Sequence, residues 1–373
     1  MCKIDLPKDN ICEVTLIGTG GGYGESCVIH LGEKNWVVID SCINPITKES
    51  LPLNYLLEIG VEVKNDVKLI ICSHWHDDHI LGISKLLEKC ESSKFAFGKA
   101  TDRKKFLRLV ALDYEKLKGE VSISSTIEFN QCLNIIKERA LCPIQAIKDR
   151  TLFNHRNGTH NFEIISLSPS DSTLEQFDSE LSTLISKYGI PDKKIILNSP
   201  NSKSVVILLR VNNHRVLLGA DMEVSKNSDE GWLNILDNNI SIDNKASLFK
   251  VPHHGSENAY HERIWVELLT DDVISNLTPW NRKNKLPNKD MLKKFCSNSK
   301  NVHMTSEILR GKPKKRERSI EKMIKNWEYK LKEISFDHGI IRCRIDINNS
   351  ADNWQTDLFG KAIHVNPEID KIT

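Results

Sequence analysis

The chain has 373 residues, of which 39% are hydrophobic and 27% are charged, as is typical of a globular protein with a buried core. Its 52 lysines and arginines nearly balance its 50 aspartates and glutamates, and the net charge of +2 excludes a uniformly basic nucleic-acid-binding surface. No stretch reaches the roughly 18 consecutive apolar residues that a membrane helix needs.

The cysteines and the first residues indicate where the protein works. Residues 1–10 lack the apolar core of a secretion signal, and none of the ten cysteines forms a Cys-x-x-Cys pair. Several cysteines lie inside apolar runs, as reduced and buried thiols do. We therefore predict a cytoplasmic protein without a membrane segment.

Apolar runs predict strands through most of the chain, with helices between them. The predicted strands are 14–17, 27–31, 36–39, 67–72, 162–167, 204–211, 215–218, 247–251 and 340–346. Helical spacing follows the fourth strand as far as Lys89 and recurs at 174–188, and residues 100–150 are predicted to be mainly helical. Residues 149–160 are predicted to be a polar loop. This pattern favours two sheets with outer helices in one α/β unit.

The strongest chemical signal is the segment His74-x-His76-x-Asp78-His79. It places three imidazoles and a carboxylate at the end of an apolar strand and the start of a helix. Imidazole and carboxylate are the ligands that divalent metals take where no thiolate is present. We predict that His74 and His76 face one metal ion and that Asp78 and His79 face a second.

Further candidate ligands also follow predicted strands. Asp221 ends the segment Leu-Leu-Gly-Ala-Asp and could bridge two cations, and His253 and His254 follow Lys250-Val-Pro. All these residues would then meet at one edge of the sheets. The glycine-dense loop 18–24 is followed by a strand, so we predict a tight turn beneath the site and not a dinucleotide-binding loop.

These motifs resemble those of the metallo-β-lactamase fold superfamily, over roughly residues 11–280. The resemblance implies an αββα sandwich at 1–280, with a helical insertion at about 100–150, and a part at 281–373 that packs on or completes the same fold. It implies two divalent ions, Zn²⁺ or Mn²⁺ with Mg²⁺ possible. It also implies a structural acid, Asp40, below the site. The implied metal ligands are His74, His76, Asp78, His79, Asp221 and His254, with His253 the alternative to His254.

The chain departs from this family at one ligand. The family usually has a histidine before the strand that leads to the bridging acid, and the segment 198–206 contains none. Asn198 or Asn201 could supply an oxygen there, or His155 or His160 could reach in from the preceding loop. The loss of an imidazole favours harder ions such as Mn²⁺ or Mg²⁺.

Within the superfamily, the segment 250–256 is similar to the nuclease-like domain of bacterial DNA-uptake channel proteins and their soluble relatives. That likeness implies a nuclease or phosphodiesterase. Asp78 would orient the attacking water. Lys250, or the histidine of His253 and His254 that binds no metal, would contact the phosphate or protonate the leaving oxygen.

Basic residues are available to hold a nucleic acid or nucleotide substrate. They form three groups, which are 99–105, Arg282 to Lys285 beside Trp280, and 312–318. A basic residue beside an aromatic ring can hold a backbone and stack a base.

Three functions remain open from the sequence. The first is a nuclease or phosphodiesterase. The second is a hydrolase of the same fold that acts on a small ester, thioester or lactam, and the missing histidine argues against it. The third is a non-catalytic subunit with protein partners in a bacterial defence or DNA-handling system.

Overall fold

The computed structural model of the chain describes most of the sequence. The described residues are 4–19, 24–98, 125–157, 160–187, 200–282, 284–308, 338–349 and 353–365. Asn198 and the predicted basic runs at 99–105 and 312–318 lie outside them. No helix among the described residues is long and apolar enough to cross a membrane.

Sixteen strands are found in the described part of the chain. They are β1 (Ile11–Gly18), β2 (Glu25–His30), β3 (Trp36–Ile39), β4 (Val67–Cys72), β5 (Lys94–Gly98), β6 (Ile144–Ala146), β7 (Arg150–Asn157), β8 (His160–Ser166), β9 (Ile207–Val211), β10 (His214–Leu218), β11 (Ala246–Lys250), β12 (Leu269–Leu277), β13 (Asn301–Met304), β14 (Gly339–Asp346), β15 (Gln355–Gly360) and β16 (Ile363–His364). They form two mixed sheets.

Each sheet combines an antiparallel part with a parallel part. The first has the order β15-β14-β1-β2-β3-β4-β5-β6, and its strands from β3 to β6 run parallel. The second has the order β16-β13-β12-β11-β10-β9-β8-β7, and its strands from β10 to β13 run parallel. Parallel strands carry their carboxyl ends to one edge, so the loops after β4, β10 and β11 can share a site.

Helices cover the outer faces of the sheets. They are α1 (Leu51–Glu58), α2 (Val63–Asp66), α3 (Asp77–Ile80), α4 (Ile83–Lys89), α5 (Ser125–Glu138), α6 (Asp171–Lys187), α7 (Gly231–Asn238) and α8 (Lys289–Asn298). Short turns of 3-10 helix follow at Pro200–Lys203, His253–Gly255 and Glu257–Ala259.

The core has three apolar layers, which explains why the central strands are hydrophobic without interruption. In β4, Leu69 and Ile71 pack between the two sheets, whereas Ile70 and Cys72 pack against helices on the outer face. A third cluster, around Trp232 and Phe295, lies on the outer face of the second sheet. Strands that are buried on both faces carry apolar residues at successive positions. The predicted αββα sandwich is therefore confirmed.

Some predictions about secondary-structure elements need correction, and others receive exact residue boundaries. Residues 150–157 are not a loop but the strand β7, which pairs with β8. The predicted helical stretch 100–150 contains α5 at 125–138 and then the short strand β6, while 99–124 lies outside the described residues. The part after residue 281 adds β14 and β15 to the first sheet and β13 and β16 to the second.

Most of the described cysteines are buried and contribute to packing. Nine cysteines are described, and all of them are unpaired. Burial raises the pKa of the Cys343 thiol to about 11 and moves that of Cys72 well above its usual range. Such thiols are inert at neutral pH and fill the core.

Candidate metal centre

Three strand ends and the short helix α3 build the candidate site. The chain leaves β4 through Ser73 and His74, and α3 then carries Asp78 and His79. Asp221 follows β10 and His254 follows β11. The short parallel strands thereby bring together side chains that are up to 180 positions apart in the sequence.

Two overlapping groups of ligand atoms result. One contains Asp78, His79, Asp221 and His254, and within it the ligand atoms lie within 4.8 Å of one another. The other meets the same limit and contains His74, His76 and Asp221. Asp221 belongs to both groups, as the sequence predicted for a bridging acid.

Few of the contacts within these groups are hydrogen bonds. His79 Nε2 lies 3.3 Å from Asp221 Oδ1, and His254 Nε2 forms a long hydrogen bond of 3.3 Å with Asp78 Oδ2. His74 Nε2 lies 3.8 Å from Asp221 Oδ2. The ligand atoms of each group therefore lie close together, although few of them bond to one another directly.

Contacts behind the site fix the orientation of two imidazoles. Asp40 Oδ2 accepts a hydrogen bond from His79 Nδ1 at 2.8 Å, and the same carboxylate accepts from the Ser73 backbone and hydroxyl at 2.6 Å each. His254 Nδ1 donates to the Thr278 carbonyl at 2.9 Å. With Nδ1 occupied, each ring presents Nε2 to the site, which is how metal-binding histidines are held. Asp40 thus lies where the sequence predicted a supporting acid.

The donor atoms fit a pair of divalent cations. His74 Nε2, His79 Nε2 and Asp221 Oδ1 are buried and have no hydrogen bond of good geometry among the described residues. Buried polar atoms in this condition are costly, because they have lost water without gaining a partner. Four imidazoles and two carboxylates that lie this close together match the coordination chemistry of Zn²⁺ and Mn²⁺.

Burial and neighbouring charges split the imidazole pKa values. Burial, reinforced by the nearby His79, lowers the pKa of His74 well below its ordinary value. Burial also acts to lower the pKa of His79, but Asp221, Asp78 and Asp40 outweigh it and raise that pKa well above 6.5. The pKa of the Asp221 carboxyl is correspondingly depressed: burial would raise it, and the imidazoles of His79 and His254 overcome that effect.

Lys250 lies beneath the site and forms an ion pair that the sequence did not reveal. Its Nζ contacts Glu25 Oε1, donates to the Ala220 carbonyl at 2.8 Å, and lies 3.9 Å from Asp221 Oδ1. Lys250 is 4% exposed and Glu25 3% exposed. The sequence predicts that Lys250 contacts the phosphate or protonates the leaving oxygen, whereas in the structure its amine is already held by protein groups. An acidic residue at the start of the fully buried strand β2 was the available signal for Glu25.

A polar trio lies beside the site and includes Asn201, from the segment where the resemblance predicts a histidine. Asn201 Nδ2 lies 2.8 Å from Glu223 Oε1 and 3.1 Å from His253 Nε2. The amide nitrogen donates to both, so His253 Nε2 accepts and its proton sits on Nδ1, 3.3 Å from the same Glu223 oxygen. Asn201 Oδ1 is buried and has no hydrogen bond among the described residues.

The two histidine candidates for the missing ligand do not reach the site. His155 Nε2 and His160 Nδ1 lie 3.2 and 3.3 Å from the Glu33 carboxylate, and His160 Nε2 lies 3.2 Å from Asn348 Oδ1. Both histidines belong to the β7–β8 hairpin, whose register directs them to the turn after β2. The proposal that either histidine enters the site is therefore wrong.

Gly24, at the end of the glycine-dense segment, packs directly against the acidic end of the motif. A Cβ on Gly24 would lie 2.2 Å from the Asp78 carbonyl oxygen, and the φ of +132° at Gly24 is one that side-chain-bearing residues rarely adopt. The Gly24 carbonyl accepts from the Thr19 backbone at 3.2 Å, which closes the turn. Residues 20–23 lie outside the described part of the chain.

A cleft of about 510 Å³ opens onto the site. Its polar residues are His76, Asp77, Asp78, Lys48, Ser125 and Arg282, and its apolar residues are Ile43, Pro45, Leu81 and Trp280. The Trp280 ring lies 5.3 Å from the His254 ring, and the Arg282 guanidinium lies 5.0 Å from the Trp280 ring centre. Of the basic residues predicted near Trp280, Arg282 lines this cleft and Lys285 does not.

Comparisons with known proteins found one matching family profile and several similar solved structures. The sequence profile of the metallo-beta-lactamase superfamily matches residues 19–115. A metallo-beta-lactamase fold protein, YhfI from Bacillus subtilis, is 16% identical with a TM-score of 0.33, over 64% of this chain and 70% of that one. Zn²⁺-bound PqqB from Methylobacterium extorquens is 9% identical with a TM-score of 0.35, over 64% of this chain and 71% of that one. A search of curated proteins found no significant match.

The segment that matches the profile contains the strand β4 and the whole motif from His74 to His79. The two mixed sheets with outer helices are consistent with the fold of that superfamily. The chain is therefore similar to the metallo-beta-lactamase superfamily in the matched segment and in its architecture.

Proposed function

We propose that this chain is a metal-dependent hydrolase that cleaves phosphodiesters, as a nuclease or a nucleotide phosphodiesterase. The observation that carries the proposal is the convergence of His74, His79 and Asp221, whose buried donor atoms lack hydrogen bonds among the described residues. Buried ligand atoms without hydrogen bonds are costly, and bound cations would remove that cost by coordinating them.

Two groups of side chains would hold the ions. His74, His76 and Asp221 would hold one, and Asp78, His79, Asp221 and His254 the other. Divalent ions at such positions supply a water of lowered pKa and neutralise charge that develops on the substrate oxygens. Asp40 keeps His79 in the tautomer that presents Nε2, and the Thr278 carbonyl does the same for His254.

The remaining residues of the site receive positioning roles. Asp78, which lines the cleft, accepts a hydrogen bond from water and orients it towards the substrate. Lys250 keeps Glu25 and Asp221 in place and is too enclosed to meet a phosphate. His253 has a side chain that is 19% exposed, so it is a better candidate than Lys250 to contact the substrate.

The donor set favours phosphodiesters over lactams and thioesters. Where the family usually has a third imidazole, this chain has Asn201 with an unpaired oxygen. An oxygen-richer site suits Mn²⁺ or Mg²⁺, ions that commonly assist phosphoryl chemistry, while Zn²⁺ remains compatible with the imidazoles. The likeness of residues 250–256 to the nuclease-like domain of DNA-uptake proteins supports the same substrate class. The biological setting we propose is a cytoplasmic nucleic-acid or nucleotide substrate, with a bacterial multi-protein partner system as a further possibility.

One assay tests the proposal. Chelator-treated protein is incubated with plasmid DNA, single-stranded DNA, RNA and bis(p-nitrophenyl) phosphate, with Mn²⁺, Mg²⁺ or Zn²⁺ added in turn. The variants are Asp78→Ala and His79→Ala, and the matched control is His155→Ala, which removes an imidazole that contacts Glu33 away from the site.

We expect cleavage that requires metal, survives in the control and disappears in both site variants. Hydrolysis of p-nitrophenyl acetate or a β-lactam alone would instead identify the small-ester class. Metal binding measured by calorimetry, together with inactivity on every substrate, would refute the proposal and leave the non-catalytic interaction subunit.

A further inference from the structure

The cleft beside the metal centre is lined by chemically different groups of side chains. Ile43, Pro45 and Leu81 are apolar, Trp280 and Arg282 pair an aromatic ring with a cation, and His76 and Asp78 belong to the candidate metal centre. Lys48 adds a second cation to the lining. Asp77, which shares the cleft, accepts a hydrogen bond from the Ser125 backbone at 2.9 Å and so has a structural partner.

The loop that carries Trp280 and Arg282 is fixed at its base. Trp280 and Leu286 exchange two backbone hydrogen bonds of 2.9 Å each, which close the loop between them. Asn281 Nδ2 donates to the Glu307 carbonyl at 2.9 Å. An additional Cβ on Gly255 would lie 3.0 Å from Pro287, so the base of the loop packs against the turn that carries His254. The loop thus has a defined position relative to the metal ligands.

The indole ring holds the guanidinium. Arg282 Cζ lies 5.0 Å from the centre of the Trp280 ring, within the range of a cation–π contact. The opposite neighbour of the ring is His254, at 5.3 Å between centroids. One aromatic side chain therefore connects a metal ligand to a cation at the mouth of the cleft.

From this arrangement, and resting on the hydrolase function proposed above, we infer that Arg282 is the residue that selects an anionic substrate. Its guanidinium, held against Trp280, binds the phosphate of a nucleotide-sized phosphodiester while the metal ligands face the bond to be cleaved. A planar fork of N–H donors pairs with two phosphate oxygens at once, which a lysine ammonium cannot do.

The size of the cleft limits the substrate class. A volume of about 510 Å³ lies in the range of pockets for small molecules and cofactors. A single nucleotide unit, or the end of a single strand, is the matching occupant. The apolar wall of Ile43, Pro45 and Leu81 faces the same space and suits a base or another aromatic leaving group.

The test compares two substrates that release the same chromophore. Bis(p-nitrophenyl) phosphate carries a negative charge and p-nitrophenyl acetate is neutral. The variants are Arg282→Ala, Arg282→Lys and Trp280→Leu, and the control is Lys285→Ala, a cation of the same loop that does not line the cleft.

We expect Arg282→Ala to raise KM for the diester about tenfold, the scale of a charge-assisted hydrogen bond, and to leave KM for the acetate unchanged. Arg282→Lys restores part of the affinity, and Trp280→Leu raises KM about threefold through loss of the cation–π contact. Lys285→Ala stays at the wild-type value. The Kd for Mn²⁺, measured by calorimetry, remains unchanged in the Arg282 variants, which separates substrate binding from damage to the metal centre.

A binding measurement keeps this inference separate from the proposed function. Metal-loaded protein is titrated with thymidine 5′-monophosphate, and we expect Arg282→Ala to weaken its Kd about tenfold. If no diester is cleaved but this loss is found, the proposed function fails and the inference stands. If diesters are cleaved with equal KM in wild type and Arg282→Ala, or if the nucleotide Kd is equal in both, the inference is overturned.

Discussion

Removal of the Lys250 charge should destabilise the protein strongly, because the amine is the buried counter-charge of two carboxylates. Its Nζ contacts Glu25 Oε1 and lies 3.9 Å from Asp221 Oδ1. All three side chains are at most 5% exposed. Burial acts to lower the pKa of Lys250, but Glu25 and Asp221 outweigh it and raise the pKa, so the amine carries its proton at neutral pH.

The magnitude follows from the geometry. At 3.9 Å and an effective dielectric constant of about 20, the attraction between Lys250 and Asp221 is about 4 kcal/mol before desolvation. Removal of one member of a buried pair typically costs about 3–5 kcal/mol, since the other charge stays buried without a partner. We expect Lys250→Met to lose about that amount in free energy of unfolding. Glu25→Gln should lose less, because Lys250 keeps Asp221 and the Ala220 carbonyl.

The assay is urea unfolding of the single variants and of the double variant Glu25→Gln, Lys250→Met, with chelator present. The double variant should lose at least about 1 kcal/mol less than the two single losses combined, as contacting charges do. The matched control is the exposed pair Lys64 and Glu91, at 2.9 Å, where neutralisation should cost under about 1 kcal/mol. Additive losses at Glu25 and Lys250, or a cost no larger than at the exposed pair, would refute the reasoning.

Three further predictions concern the support of the site and the core. Asp40→Asn removes the acceptor of His79 Nδ1 but tolerates the positive φ at this position, so calorimetry should show metal affinity reduced about 10- to 100-fold with the fold retained. Gly24→Ala should unfold at lower denaturant concentration and weaken metal binding, because its Cβ meets the Asp78 carbonyl; unchanged values would contradict that contact. Burial lowers the pKa of His30 to about 4 in the folded protein. The unfolded chain therefore binds a proton at His30 at a higher pH than the folded chain does, and the free energy of unfolding falls as the pH drops from 6.5 to about 4. In denaturation curves of His30→Gln, this acid-dependent loss should be about 3 kcal/mol smaller than in the wild type.

The general architecture could be predicted because its strands are buried on both faces. In β4 and β9 nearly every side chain is buried, so each reads as an uninterrupted apolar run that ends sharply. The ends of such runs are also where the motif from His74 to His79, Asp221 and His254 occur. Their meeting at one edge follows from parallel pairing, a property of the fold that short motifs report indirectly.

The strand β7 escaped prediction for a physical reason. It is the last strand in its sheet and pairs on one side, with β8, so most of its side chains face solvent. Leu152 is its buried apolar residue, and the register shifts between Thr151 and Phe153, which breaks the alternation of inward and outward positions. A polar edge strand protects a sheet against pairing with other chains, but its sequence then resembles that of a loop.

Glu25 and Glu223 could not be predicted as parts of the site because their importance depends on partners far away in sequence. Glu25 becomes significant through Lys250, and Glu223 through Asn201 and His253. No spacing rule connects these positions. Only the packing of β2 against the end of β11, and of the turn at 200–203 against the turn after Pro252, brings the charges together.

The trio of Asn201, Glu223 and His253 also shows how neighbouring groups can fix the orientation of an amide. Glu223 and His253 both attract the nitrogen of Asn201, so the amide cannot rotate without giving up two hydrogen bonds. Its oxygen is thereby held facing away from them, buried and unsatisfied among the described residues. An imidazole would need no such help, because either ring nitrogen can bind a cation, whereas an amide binds through oxygen alone. In the metal site proposed above, Glu223 would therefore support Asn201 as an oxygen ligand without binding the metal itself.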